Sequence, residues 1–136
     1  MIILQIGKIR DKANSFLAKE LINRQMRGIA PTHGDIIWAL LTFGDLPMKK
    51  LAEIIHRDKS TVTALVKKLI KFGYVEKKIN EADNRVNIIS LTKKGRAMRS
   101  SFWEVSEALR KRAYRGLSDR EKKTLMRLLI KIHDNF

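Results

Sequence analysis

Between Asp58 and Phe72 the apolar residues Val62, Leu65, Val66 and Leu69 recur at i, i+3, i+4 and i+7, the spacing of a helix with one buried face. The opposite face then carries Ser60, Thr61, Thr63, Ala64, Lys67 and Lys71. Short hydroxyls donate to or accept from base edges, Ala64 and a threonine methyl can meet a thymine methyl, and lysines reach phosphates. This is the composition that suits a DNA major groove. Ser, Thr and Lys are equally the ordinary residues of a solvated helix surface, so the surroundings must decide.

Those surroundings are cationic. Lys49 and Lys50 begin the preceding helical stretch, where free backbone N–H groups and the helix dipole also favour a phosphate. Arg57 and Lys59 flank the turn between the two stretches, and Lys77, Lys78 and Arg85 border the segment that follows. The 136 residues contain 29 Lys and Arg against 14 Asp and Glu, a net charge of +15. Residues 47–95 hold twelve of the cations against five acids (+7), whereas residues 1–46 hold six against four (+2). Such a surplus asks for a polyanion. A membrane-binding helix would leave large apolar residues exposed opposite its lysines, but here those residues are needed for the core. The expected partner is double-stranded DNA, with non-specific nucleic-acid binding as the alternative, and no membrane.

Other chemistry is poorly supplied. With no cysteine there are no disulfides, zinc ribbons or thiol nucleophiles. His33, His56 and His133 show no close ligand spacing, and there is no H-E-x-x-H, so no metal is expected beyond a site combining His with Asp or Glu across a dimer. His56-Arg57-Asp58 matches the start of a kinase catalytic loop, yet Thr63 stands where the loop needs asparagine, and no Gly-rich phosphate loop exists. No catalytic residue, cofactor or enzymatic activity is expected.

The elements that must position the cationic face read as follows. Apolar residues at Ile2, Ile6, Ile9, Ala13, Phe16, Leu17, Leu21 and Met26 predict a first helix to Arg27, stopped by Gly28. Thr32 as N-cap, with Asp35 three residues on, opens a second helix, which is apolar on nearly every side and therefore central. Pro47 limits Leu46-Pro47-Met48 to a bridging strand at an edge. A helix over Lys49–Ile55, the turn His56-Arg57-Asp58 and a helix from the Asp58 N-cap to Phe72, ended by Gly73, form a helix-turn-helix. Tyr74–Lys78 and Arg85–Leu91 read as a β-hairpin with Asn80–Asn84 as its polar tip. Thr92 caps a long helix to Arg115, with Met98, Phe102, Val105, Ala108 and Leu109 on one face. Its cations Arg110, Lys111, Arg112 and Arg115 suit a solvated helix C-terminus. Ser118 and Glu121 form a capping box for a last helix whose inner stripe is Leu125, Leu128, Leu129, Ile132 and Phe136. Trp38 and Trp103 are expected in the core.

The fold class is thus mainly α, a winged helix-turn-helix with a two-stranded β-wing flanked by long N- and C-terminal helices. One domain covers 1–136, with the DNA-binding region at 29–95 and helical dimerisation regions at 1–28 and 96–136. The first and last two helices carry more apolar surface than a small winged helix covers, which predicts a homodimer. The apolar start is interrupted by Lys8, Arg10, Asp11 and Lys12, and no uncharged stretch nears a bilayer's span, so a cytoplasmic protein without a leader is expected.

The run from Asp58 through Phe72-Gly73-Tyr74-Val75-Glu76-Lys77, then Asp83-Asn84-Arg85 and Ser90-Leu91-Thr92-Lys93-Lys94-Gly95, resembles the winged helix of MarR-type transcriptional regulators. The order of elements agrees over nearly the whole chain. The resemblance implies a homodimer on a pseudo-palindromic operator, usually repressing, often released by a small-molecule effector. It assigns the exposed recognition-helix positions to Ser60, Thr61, Thr63 and Lys67, the minor-groove wing arginine to Arg85, and to Asp83 a loop-shaping pairing with an arginine. Asn80-Glu81 and Asn84-Arg85 depart from the family's usual Asp-Pro and paired arginines, which makes the wing contacts weaker or differently placed. Aromatic residues between the second and fifth helices would suit the pocket of ligand-responsive relatives. The missing cysteine excludes the control used by the family's thiol-based peroxide sensors.

Overall fold

The apolar run after Pro31 forms the helix around which the chain closes. In the computed structural model, which describes residues 1–26 and 28–136, α2 (Pro31–Phe43) buries Ile36, Ile37, Ala39 and Leu40. Packed on it are α3 (Met48–Ile55), α4 (Lys59–Lys71) and a three-stranded antiparallel sheet, ordered β1-β3-β2. The strands are β1 (Leu46–Pro47), β2 (Val75–Asn80) and β3 (Asp83–Leu91). Pro47 lies on the edge strand, opposite Ile88, as its missing N–H requires. Leu51, Val62, Val66, Leu69, Val75 and Ile89 fill the space between these elements, each worth about 1.5–3 kcal/mol of burial. The mainly helical winged-helix architecture is the expected one.

The N-terminal boundaries differ from expectation. α1 (Ile2–Asn23) ends before Arg27, which lies outside the described residues, and before Gly28. Gln25 takes the left-handed position, with φ of 61°, and N–H groups of Gln25 and Met26 close on the carbonyls of Ile22 and Leu21 at 3.0 and 2.9 Å. These two bonds satisfy the last carbonyls earlier than a glycine would have done. α2 is capped by Ala30, not Thr32. Pro31 supplies the preset φ at the first helical position, and His33 Nδ1 accepts the Ala30 N–H at 2.9 Å. Asp35 has no capping role.

The long helix expected from Thr92 is two helices, α5 (Lys93–Ala97) and α6 (Arg99–Ala113), interrupted at Met98. Thr92 caps α5 by accepting the Gly95 N–H at 3.1 Å, while its own hydroxyl donates to the Gly73 carbonyl at 2.5 Å. Gly95 lies flush against the backbone before the wing: a Cβ there would stand 2.1 Å from the Tyr74 oxygen. α5 is thus held to the residues just beyond α4, and α6 begins after Met98.

α7 (Asp119–His133) opens on the expected capping box, with Ser118 Oγ accepting the Glu121 N–H at 3.2 Å and Glu121 accepting the Ser118 N–H at 2.7 Å. Its stripe is not buried within the chain: Leu125, Leu128 and Leu129 are exposed and Ile132 is half-buried. Ile2, Ile3, Leu4 and Ile9 on α1 are exposed too. Arg110 is held to Glu107 by two bonds of 3.0 and 2.7 Å along α6. Among the described residues no helix is long and apolar enough to cross a membrane.

Replacing Gly95 by alanine forces its methyl into a backbone oxygen that has no side-chain freedom to yield. Gly95→Ala is expected to cost about 3 kcal/mol, the upper end of overpacking, read as a lower denaturant midpoint at unchanged m-value.

Candidate nucleic-acid interface

The turn between α3 and α4 is built by two caps. His56 adopts φ of 53°, and the N–H groups of His56 and Arg57 bond the carbonyls of Glu53 and Ala52 at 3.3 and 3.1 Å, closing α3. Asp58 sits at the N-cap of α4 in extended conformation, and its carboxylate accepts the Ser60 hydroxyl at 2.5 Å. Hydrogen bonds from Ser60 and then Thr61 hold the Asp58 carboxyl below its ordinary value. At the other end Gly73, with φ of 80°, lets the N–H groups of Gly73 and Tyr74 reach the carbonyls of Ile70 and Leu69.

Between these caps α4 presents Lys59, Ser60, Thr61, Thr63, Ala64, Lys67 and Lys71 to solvent, while Val62, Val66 and Leu69 are buried. The hydroxyls are less free than their types suggest. Ser60 donates to Asp58, and Thr63 donates to the Lys59 carbonyl at 2.7 Å, so both present lone pairs and methyl or methylene groups outward.

The wing is tighter than expected. The strands continue to Asn80 and resume at Asp83, leaving Glu81-Ala82 as the turn. Asn80 Oδ1 accepts the Ala82 N–H and Asp83 Oδ1 the Arg85 N–H, each at 3.0 Å. Asp83 therefore shapes the tip through Arg85's backbone and not through a guanidinium, and side-chain oxygens stand in for missing ladder partners. Asn84 and Arg85 are exposed on β3 and Lys77 on β2.

Lys49 is exposed at the start of α3, and Arg57 in the turn. Among the described residues Lys49, Lys59, Lys67, Lys71, Lys77 and Arg85 form no ion pair, whereas Lys50 lies 3.7 Å from Glu53 and Lys78 3.4 Å from Glu76. The uncompensated cations thus include most of those expected to meet phosphate. Sequence reasoning missed what Lys94 does: its Nζ donates to the Phe72 carbonyl at 2.8 Å and lies 4.5 Å from the centre of the Tyr74 ring, so it locks the end of α4.

A second site opens beside this face. A cavity of about 500 Å³ lies between α1, α2 and α6, walled by Leu17, Leu21, Trp38, Phe102, Trp103 and Leu109. Trp38 and Trp103, expected in the core, are 52% and 67% exposed and line it instead. Asp35 and Arg99 supply its charges. Desolvation pushes the Asp35 carboxyl up, and nearby Arg57 partly offsets this. No group of three or more His, Cys, Asp and Glu among the described residues gathers to hold a metal.

With the geometry in hand, comparisons with known proteins converge. The family model described as MarR family matches residues 29–86. The HTH-type transcriptional regulator SarZ of Staphylococcus aureus strain USA300 is 39% identical over 71 residues, covering 52% of this chain and 48% of SarZ. The chain spans about half the length of the curated relatives it matches. Among solved structures, a probable transcriptional regulator from Pseudomonas aeruginosa superposes with a TM-score of 0.78 at 27% identity, over 97% of this chain and 99% of that one. A mutant MarR from E. coli, complexed with operator DNA, superposes with a TM-score of 0.85 at 22% identity, over 94% and 90%.

The Asp58 cap generates a prediction with a definite sign. Its carboxyl titrates lower in the folded state than in the unfolded one, so its stabilisation is present above the unfolded value and lost as pH falls through the folded one. Asp58→Ala is expected to lower the thermal midpoint at neutral pH, with the difference from the parent chain shrinking as pH falls below the ordinary carboxylate range. A difference independent of pH would rule out a charged cap.

Proposed function

We propose, from the MarR-family match over residues 29–86 and the winged-helix fold, that this chain is a MarR-type, homodimeric, sequence-specific DNA-binding transcriptional regulator. The observation that carries the reading is the exposed row Thr61, Ala64, Lys67 and Lys71 on α4, flanked by unpaired cations on α3 and the wing. A helix of this width enters a major groove. Lys49, Arg57, Lys59, Lys71 and Lys77 then meet phosphates, Ser60, Thr61, Thr63, Ala64 and Lys67 face base edges or the adjoining backbone, and Asn84 and Arg85 reach the neighbouring minor groove. The E. coli neighbour complexed with operator DNA supports this mode.

Dimerisation follows from the stripes on α1 and α7, which the chain itself leaves exposed. Two recognition helices related by a two-fold axis read half-sites of a pseudo-palindromic operator about one helical turn apart. Bound over a promoter, such a dimer represses by occupancy. The cavity beside Trp38 and Trp103 is of a size and lining suited to a small, flat effector that releases DNA. We place the protein in the cytoplasm, where its DNA is, and assign it no enzymatic role.

Operators selected from a random DNA pool test the reading directly. A palindromic consensus bound much more tightly than bulk DNA is expected, and equal affinity for all sequences would leave only the non-specific alternative. On the selected operator, Lys67→Ala should either lower the salt slope of binding by about one, if it meets phosphate, or cost about 1–3 kcal/mol at one base position. Arg85→Ala should weaken binding and relax preference at the flanks. If both variants bind as the parent does while remaining dimeric, the docking mode is wrong.

A further inference from the structure

Two histidines far apart in sequence are brought together at the outer end of the helix-turn-helix. His56, in the turn after α3, and His133, the last residue of α7, meet edge to face with ring centres 6.3 Å apart. His133 Nδ1 lies 3.0 Å from Asp134 Oδ1. An Nδ1–H donated to that carboxylate fixes the ring and leaves the Nε2 lone pair free, the arrangement by which carboxylates orient ligating imidazoles. The His133 side chain is 77% exposed, so water can supply further ligands.

We propose that His56 and His133 form a binding site for a divalent transition cation of the Zn²⁺, Ni²⁺ and Cu²⁺ class, with Asp134 orienting His133. Imidazole is the common ligand of these ions. A cation about 2 Å from one nitrogen of each ring sets the ring centres on the order of 5–6 Å apart, close to their present spacing. With two protein ligands and open positions the site is weaker than a structural zinc centre. It cross-links α7 to the recognition turn. The remaining histidine is an internal control: His33 is buried, and its Nδ1 is occupied by the Ala30 N–H.

The test uses the full chain without a histidine tag, with the metal salts alone as probes. Calorimetric titration with Zn²⁺ at neutral pH should give one site per chain. His56→Gln and His133→Gln should each weaken it at least tenfold, and Asp134→Asn about tenfold at the same stoichiometry. Substoichiometric Cu²⁺ should broaden the imidazole proton resonances of His56 and His133 together and spare His33. The proposal fails if the parent chain takes up no Zn²⁺, if either His variant binds as the parent does, or if Cu²⁺ broadens one of the pair without the other. Unchanged affinity in Asp134→Asn would overturn the orienting role. The broadening experiment needs no variant, so a folding defect in one cannot rescue the idea.

Discussion

The C-terminal end of α4 is fixed through a few backbone atoms. Three successive carbonyls there, of Phe72, Gly73 and Tyr74, accept from Lys94 Nζ at 2.8 Å, Thr92 Oγ1 at 2.5 Å and the Thr92 N–H at 3.0 Å. Gly95 closes against the last of them without a side chain between. Helix ends leave carbonyls unsatisfied, and here α5 satisfies those just beyond α4 itself. Because both Thr92 donors are backbone or short side chain, the joint at Gly73 and Tyr74 has little play. The end of α4, the base of the wing and the start of α5 are thus tied together, which in the proposed dimer would let contacts made elsewhere set the spacing of two winged helices.

On that rigid mount, the recognition face separates affinity from discrimination. On the proposed reading, affinity comes from cations spread over α3, the turn, α4 and the wing, working through counterion release irrespective of sequence. Discrimination depends on the small groups between them. Since the Ser60 and Thr63 hydroxyls are spent on Asp58 and the Lys59 carbonyl, they offer bases lone pairs and apolar edges more readily than donors. The same two bonds order the first turn of α4, so groups that face the groove also hold the helix that carries them.

Much of this was legible in the sequence because it rests on local rules. The period of Val62, Leu65, Val66 and Leu69 found α4, Asp58 and Gly73 marked its ends, and Ser118 with Glu121 marked the start of α7. What escaped was set by contacts distant in sequence. The break at Met98 carries no glycine or proline to announce it. The tight wing tip depends on Asn80 and Asp83 replacing ladder partners, and a polar run of five reads as loop until those bonds are known. Trp38 and Trp103 were misplaced because burial statistics cannot tell a core aromatic from one lining a cavity. His56 and His133 meet only through the tertiary course of α7.

The break at Met98 and the cavity belong to one argument. The cavity is walled on one side by α2, part of the winged helix, and on the other by α1 and α6. The joint at Gly95 precedes the break, so the bonds that hold the end of α4 all lie outside α6. Asp35, on the cavity wall, lies within electrostatic reach of Arg57 in the turn before α4. A ligand that fills the cavity better at one α2–α6 spacing than another shifts that spacing by its differential binding free energy and by nothing else. In a dimer held through α1, α6 and α7, a change in that angle alters the separation of two otherwise rigid recognition helices, and fixed half-sites tolerate little of it.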